Sequence, residues 1–272
     1  MTMNAILVDN NRCIGCRACM VACKQWNDRK TSETKFFSGP GYQNPKSLNC
    51  DTWTLITYNE TFVNGRRNWV FGNLRCMHCQ DPACVSCCPG KALEKLPEGP
   101  VVYHNIRCLG CRYCMLACPF LIPKFEWDNG LSAQITKCTM CADRVTNGGI
   151  PACVKSCPTQ ALEFGDRDEM IRKAEERIRA NPSHYVHHIY GKDEVGGTCV
   201  LHLSQIPFEK IGYKTDLPKD PLPNYTHTAM VAVPPVVVGL ALGLSLTYKI
   251  IERRQKLAGE ADKGKETSSG RR

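Results

Sequence analysis

Sixteen of the nineteen cysteines fall into four short groups: Cys13, Cys16, Cys19 and Cys23; Cys76, Cys79, Cys84 and Cys88; Cys108, Cys111, Cys114 and Cys118; Cys138, Cys141, Cys153 and Cys157. Thiols so many and so closely spaced have to be bonded to something, so the fold must gather sulfur in several places. Disulfides, zinc and iron-sulfur clusters compete for them. A disulfide framework belongs to a small exported chain. Here the N-terminus reads Met-Thr-Met-Asn-Ala-Ile-Leu-Val-Asp, lacking the basic stretch, apolar core and cleavage site of a signal peptide, which predicts no export signal of the chain's own. The odd cysteine count and the recurring CxxC pairs favour metal, because two thiols at that spacing converge on one ion or cluster.

The first and third groups have the CxxCxxCxxxC spacing of bacterial ferredoxins, in which three thiolates hold one cluster and the fourth reaches to its neighbour. Groups two and four are the same device with a longer middle loop. Zinc is the alternative for group four alone, since CxxC followed by CxxxC would pass as a zinc ribbon. Four such groups, three of them followed by proline (Pro89, Pro119, Pro158), point instead to four 4Fe-4S clusters. Cys50, Cys87 and Cys199 lie outside the groups and read as buried free thiols.

Repetition of the groups makes residues 1–165 the cluster-binding body, of α+β class. An insertion within it has strand-like stretches, Trp53 to Tyr58 and Trp69 to Phe71, joined by the turn pair Asn64-Gly65. Residues 167–180 place Met170, Ile171, Ala174 and Ile178 on one face of a surface helix that ends at Asn181-Pro182. A strand, Thr198 to Leu203, and a linker through Pro207, Pro218, Pro221 and Pro223 complete residues 166–228.

Ala229 to Tyr248 carries no charge, and as a helix it would be about 30 Å long, the thickness of a bilayer's hydrocarbon. It reads as a transmembrane helix over 229–251, with a buried core helix as the alternative, and Gly239 and Gly243 supply small residues for close helix approach. Lys210, Lys214 and Lys219 precede the span, against six Lys/Arg from Lys249 to Lys265 after it, so the basic tail, 252–272, is expected in the cytoplasm. The cluster body would then lie on the periplasmic side, exported with a partner that carries the signal. Residues 249–272 hold eight Lys/Arg and four Asp/Glu of a net +9, and the modest remainder does not suggest nucleic acid.

Cations beside an anionic cluster raise its potential, and Lys137 and Arg112 are candidates for that role, with a solvated surface charge as the alternative for each. His78 sits inside a ligand loop and reads as a packing or supporting residue. No catalytic motif, dinucleotide fingerprint or phosphate loop appears. A chain that only binds clusters acts by fixing their spacing and potentials, which defines an electron-transfer subunit.

The four groups, together with Cys23-Lys24-Gln25-Trp26-Asn27-Asp28, Arg75-Cys76-Met77-His78-Cys79, Lys137-Cys138-Thr139-Met140-Cys141, Gly196-Gly197-Thr198 and the C-terminal span, resemble the beta, iron-sulfur subunits of membrane-bound formate dehydrogenases. These belong to the four-cluster ferredoxin-like subunits of the molybdopterin oxidoreductase group, and the resemblance covers most of residues 5–251. It implies that groups one and four form one ferredoxin-like dicluster domain and groups two and three another, related by a pseudo-twofold axis. It also implies the ligand sets: Cys13, Cys16, Cys19 and Cys157 (A); Cys138, Cys141, Cys153 and Cys23 (B); Cys76, Cys79, Cys84 and Cys118 (C); Cys108, Cys111, Cys114 and Cys88 (D). The implied partners are a large molybdopterin catalytic subunit and an integral-membrane cytochrome b or quinone-reactive subunit in the lipid bilayer. Iron-sulfur subunits of membrane-bound nickel-iron hydrogenases look similar too, including the stretch from Leu203-Ser204 to Pro207-Phe208-Glu209-Lys210. A polysulfide or thiosulfate-type reductase subunit and a zinc-stabilised membrane-tethered scaffold are the further alternatives.

Overall fold

The computed structural model describes residues 2–31, 33–35, 42–63, 65–127 and 134–269. In chain order its elements are β1 (Asn4–Asp9), α1 (Ala18–Trp26), β2 (Leu55–Val63), β3 (Arg66–Leu74), α2 (Ala83–Ser86), β4 (Leu93–Lys95), β5 (Val101–Tyr103), α3 (Tyr113–Ala117), β6 (Lys124–Phe125), β7 (Ile135–Thr136), α4 (Ala142–Val145), α5 (Ala152–Lys155), β8 (Leu162–Asp166), α6 (Arg167–Ala180), β9 (Val200–Leu203) and α7 (Leu222–Ser269). They divide into two units, Met1–Pro223 and Asn224–Arg272.

In the first unit the apolar run Ala5-Ile6-Leu7-Val8 is buried on both faces, as only a central strand can be. Accordingly β1 lies between β8, which is antiparallel, and β9, which is parallel, with Leu7 opposite both Glu163 and Leu201. The helix α6 packs on this sheet through Met170 and Ala174, both buried, with Ile171 and Ile178 partly covered at its flank. It starts directly out of β8 because Asp166 caps it, accepting from the amides of Asp168 and Glu169 at 3.0 and 3.1 Å. Asp168 and Glu169 in its first turn and Arg177 and Arg179 in its last suit the helix dipole.

The insertion is one long antiparallel hairpin, β2 with β3, paired from Leu55–Leu74 at its base to Val63–Arg66 at its tip. Both strands outrun the stretches expected from sequence. Burial is confined to residues nearer the base, Leu55, Ile56, Thr57, Val70 and Asn73 among them, so the outer pairs, which include Glu60 and Asn68, need no apolar side chains. Trp53 lies before the strand, its indole N–H on the Cys50 carbonyl and the Arg29 guanidinium 5.0 Å from its ring. Asn64 of the expected turn lies outside the described residues.

Part of the expected linker is core. Ile206, Phe208, Ile211 and Tyr213 are buried, and Phe208 and Tyr213 join Tyr190 and His202 in a cluster of edge-on and tilted rings. Prolines signalled irregular backbone correctly, but irregular backbone still packs when every second or third side chain is a large anchor. The strand expected from Thr198 begins only at Val200, because Thr198 and Cys199 pair with the loop at Cys79 and Met77 instead.

The second unit is described by α7, a single helix whose Leu222–Leu257 portion has a mean hydropathy of 2.2 and is long enough to cross a membrane. It contains Pro234 and Pro235. Val231, Val236, Leu240 and Leu244 are exposed along it.

Candidate metal centres

The four cysteine groups fold alike at the backbone. In the first CxxC of each, the residue before the second cysteine is left-handed: Gly15 (φ 69°), His78 (50°), Gly110 (66°) and Met140 (57°). Two residues beyond the Cys-Pro prolines the chain turns left-handed again, at Lys91, Leu121 and Gln160. Such a conformation costs a residue with a side chain about 1–3 kcal/mol and persists only where its surroundings impose it. The gain here is a loop that turns amides onto sulfur: Gly110 N–H donates to Cys108 Sγ at 3.4 Å, and Met140 N–H to Cys138 Sγ at 3.3 Å. Glycine at 15 also makes room for Phe71, since a Cβ there would come within 2.7 Å of that ring.

A short helix then carries the third cysteine of each group: Cys19 on α1, Cys84 on α2, Cys114 on α3 and Cys153 on α5. The fourth lies one or two residues past the helix end for Cys88, Cys118 and Cys157, and within the longer α1 for Cys23. Because α1 packs on α5 and α2 on α3, the first group meets the fourth and the second meets the third.

Electrostatics shows which thiols are neighbours. Burial raises the Cys13 thiol, and the charges of Cys157 and Cys16 raise it further. Burial pushes Cys19 up to about 12 and Cys23 up to about 11; Arg75 opposes both shifts, Cys153 adds to both, and Cys141 adds to that of Cys23. Cys138 is raised by burial and then by Cys23, Cys153 and Cys76. Cys79 is raised by burial with Cys76, Cys118 and Cys84 around it, while Cys84 feels Cys76, Cys118 and Cys114. Burial takes Cys114 to about 12, with Cys87, Cys88, Cys108 and Cys111 adding. None of the sixteen is in a disulfide, and among the described residues no three His, Cys, Asp or Glu stand close enough to hold a single ion. Cys16 and Cys111 are the two exposed members.

The donor chemistry fits iron-sulfur clusters: sulfur alone, in four groups of four along the chain, mostly buried, with N–H groups turned onto it. Thiols raised this far are protonated at neutral pH, so iron must displace protons as it binds.

Of the two expected cations, Lys137 is buried rather than solvated. Its ammonium donates to the carbonyls of Val101 and Cys138, and its charge lowers Cys84 and Cys118. Arg112 is exposed and lies 4.4 and 4.3 Å from the Phe125 and Trp127 rings; it opens α3 as Arg17, 4.7 Å from the Tyr58 ring, opens α1. His78 is fully buried, accepts from Val101 N–H through Nδ1 at 2.9 Å, and is kept neutral by burial and by Lys137, Lys95 and Arg75. Two cations were missed. Arg75 donates from Nη1 to Cys153 Sγ at 3.1 Å, and Lys95 donates to the His78 carbonyl at 3.1 Å and to Cys199 Sγ at 3.3 Å. Arg75 precedes Cys76 just as Lys137 precedes Cys138, and that parallel was the available signal. Of the cysteines outside the groups only Cys199 is buried as expected; Cys50 and Cys87 are half-buried, since each lies on a loop at the surface.

This fold and these thiols define a ferredoxin-like iron-sulfur protein built to transfer electrons. A family model of the 4Fe-4S dicluster domain matches residues 67–167, and one of a 4Fe-4S binding domain matches residues 4–25. The nitrate-inducible formate dehydrogenase iron-sulfur subunit of Escherichia coli K12 is 40% identical over 220 residues, covering 80% of this chain and 73% of its own. The formate dehydrogenase iron-sulfur subunit of Haemophilus influenzae is 37% identical over 242 residues, covering 88% and 76%. The hydrogenase-2 operon protein HybA of Escherichia coli O157:H7 is 36% identical over 245 residues, covering 79% and 72%. The chain belongs to the family of formate dehydrogenase iron-sulfur subunits, carries four 4Fe-4S clusters, and is an electron-transfer subunit with no catalysis of its own.

Proposed function

We propose that the chain relays electrons from a molybdopterin-bearing, formate-oxidising subunit to a membrane cytochrome b or quinone-reactive subunit. When bound, each 4Fe-4S cluster accepts and gives up one electron. The chain's own part is to hold the centres in line and to set their surroundings.

The ligand sets are A (Cys13, Cys16, Cys19, Cys157), B (Cys138, Cys141, Cys153, Cys23), C (Cys76, Cys79, Cys84, Cys118) and D (Cys108, Cys111, Cys114, Cys88). Support comes from the charge contacts within each set and from those between sets: Cys19 with Cys153, Cys138 with Cys76, and Cys84 with Cys114. These contacts favour the order A, B, C, D, with exposed Cys16 at one end and exposed Cys111 at the other. That unbroken line of thiols carries the relay reading. The packing of α1 on α5 and α2 on α3, with the recurring left-handed positions, supports two interleaved ferredoxin-like domains within residues 1–165 related by a pseudo-twofold axis. Residues 166–228 would buttress them, 229–251 would span the membrane and 252–272 would form the tail.

The test is to isolate the native complex in mild detergent, identify its largest subunit and add formate. Formate should bleach the cluster absorbance within the complex. Bleaching by hydrogen with none by formate would overturn the reading in favour of a hydrogenase subunit.

The basic flank after the span supports a cytoplasmic tail with the cluster body outside. Protease added to intact spheroplasts is therefore expected to spare an epitope placed after Lys249 and to cut the body. Loss of the epitope with the body protected would reverse the orientation.

A further inference from the structure

Arg75 is among the largest fully buried side chains, 1% exposed, and among the described residues no carboxylate pairs with it. Its guanidinium cannot shed its proton to escape the cost of burial. Nε donates to Asn73 Oδ1 at 2.8 Å and Nη1 to Cys153 Sγ at 3.1 Å, whereas Nη2 is buried with no protein partner. The anchor is itself fixed, since Tyr213 Oη bonds both the N–H and the carbonyl of Asn73, at 2.9 and 3.1 Å. Cys153, Cys138 and Cys19 are the groups whose negative charge, when they are ionised, favours the guanidinium. A buried cation costs much more unpaired than paired, so the thiolates and the iron-sulfur charge they hold are what make this position tenable.

We propose that Arg75 is the shared counter-charge of ligand sets A and B: it binds Cys153 through Nη1, turns its unpartnered Nη2 toward the loaded centres, and raises the reduction potentials of those two. This rests on the ligand sets proposed above. Its charge is fixed, so it favours the more negative, reduced state at every pH. Lys137 and Lys95 act on set C instead, and among the described residues no cation acts comparably on Cys114 of set D. The line of thiols therefore carries unequal charge along its length.

The test is a redox titration of the complex followed by electron paramagnetic resonance, with iron content measured alongside. Arg75→Gln is expected to keep about sixteen irons and to lower two of the four midpoint potentials. The shift corresponds to about a tenfold change in the reduced-to-oxidised ratio at fixed potential, which is 59 mV for a one-electron couple. Asn73→Asp, which neutralises the guanidinium in place, is expected to lower the same two. Arg75→Lys should restore most of the shift. Four unmoved potentials, or four moved equally, in either loaded variant would overturn the proposal. If neither of the first two loads iron, loading by Arg75→Lys supports the counter-charge, and its failure as well means that the shape of arginine matters rather than its charge. The ligand sets are judged separately, by whether Cys19→Ser and Cys153→Ser remove different signals; loss of the same one would sink that reading whatever Arg75 does.

Discussion

Chelating the iron is expected to melt residues 76–127 while the sheet β8-β1-β9 keeps its hydrogen-exchange protection. Before treatment the chain should be brown, with about sixteen irons and as many sulfides. The asymmetry follows from where apolar side chains are. The central sheet and α6 share a core in which Ile6, Leu7, Leu201, Leu203, Met170 and Ala174 pack without help from metal. Around sets C and D the buried groups are Leu93, Val101, Phe125 and Ile135 with Cys84 and Cys114, then Ile122 with Cys76, Cys118 and Cys138. There the cysteines are the core, and the strands β4 to β7, two or three residues each, are too short to stand alone. Binding energy of the metal is folding energy in such a region. Since loading strips protons from thiols raised as far as about 12, reconstitution should also tighten as pH rises. Stoichiometric zinc in the native chain, or exchange over 76–127 that chelation leaves unchanged, would refute this account.

The same distribution explains what could be read from the sequence. Spacing alone gave the four groups, because ligand geometry constrains residues that lie close together in the chain. The periodicity of residues 167–180 gave α6, because one helix face is all that its packing needs. The core role of Ile206, Phe208, Ile211 and Tyr213 was hidden, since prolines dominate the local signal and burial is decided by Tyr190 and His202 elsewhere in the chain. Arg75 was hidden for a related reason. Its importance comes from Cys153, seventy-eight positions away, and from the amide side chain of Asn73 two positions before it. Lys137 was picked out, but the choice between a buried and a solvated ammonium turned on the Val101 carbonyl across the fold. Local chemistry was legible; partners supplied by tertiary contact were not.

Replacing Cys88 with serine is expected to damage the centre seated on Cys108, Cys111 and Cys114, although those residues lie twenty or more positions away in the chain. In the ferredoxin arrangement the cysteine before proline serves the neighbouring group's cluster. Charge contacts agree, since Cys114 feels Cys88, whereas Cys79 and Cys84 feel Cys76 and Cys118. Cys87 complicates the test: it is half-buried beside Cys88 and feels both Cys88 and Cys111, so it could take over as ligand. The substitution therefore belongs in a Cys87→Ser background, which by itself should leave iron content and spectra unchanged. There, Cys88→Ser should alter one paramagnetic signal, and adding Cys111→Ser should strike the same centre, for a loss of about four irons in all. Adding Cys79→Ser instead should strike a second centre and roughly double that loss. If Cys88 and Cys79 prove to serve one centre, both the cross-ligation and the pairing of the second group with the third are wrong, and the four groups are self-contained knuckles.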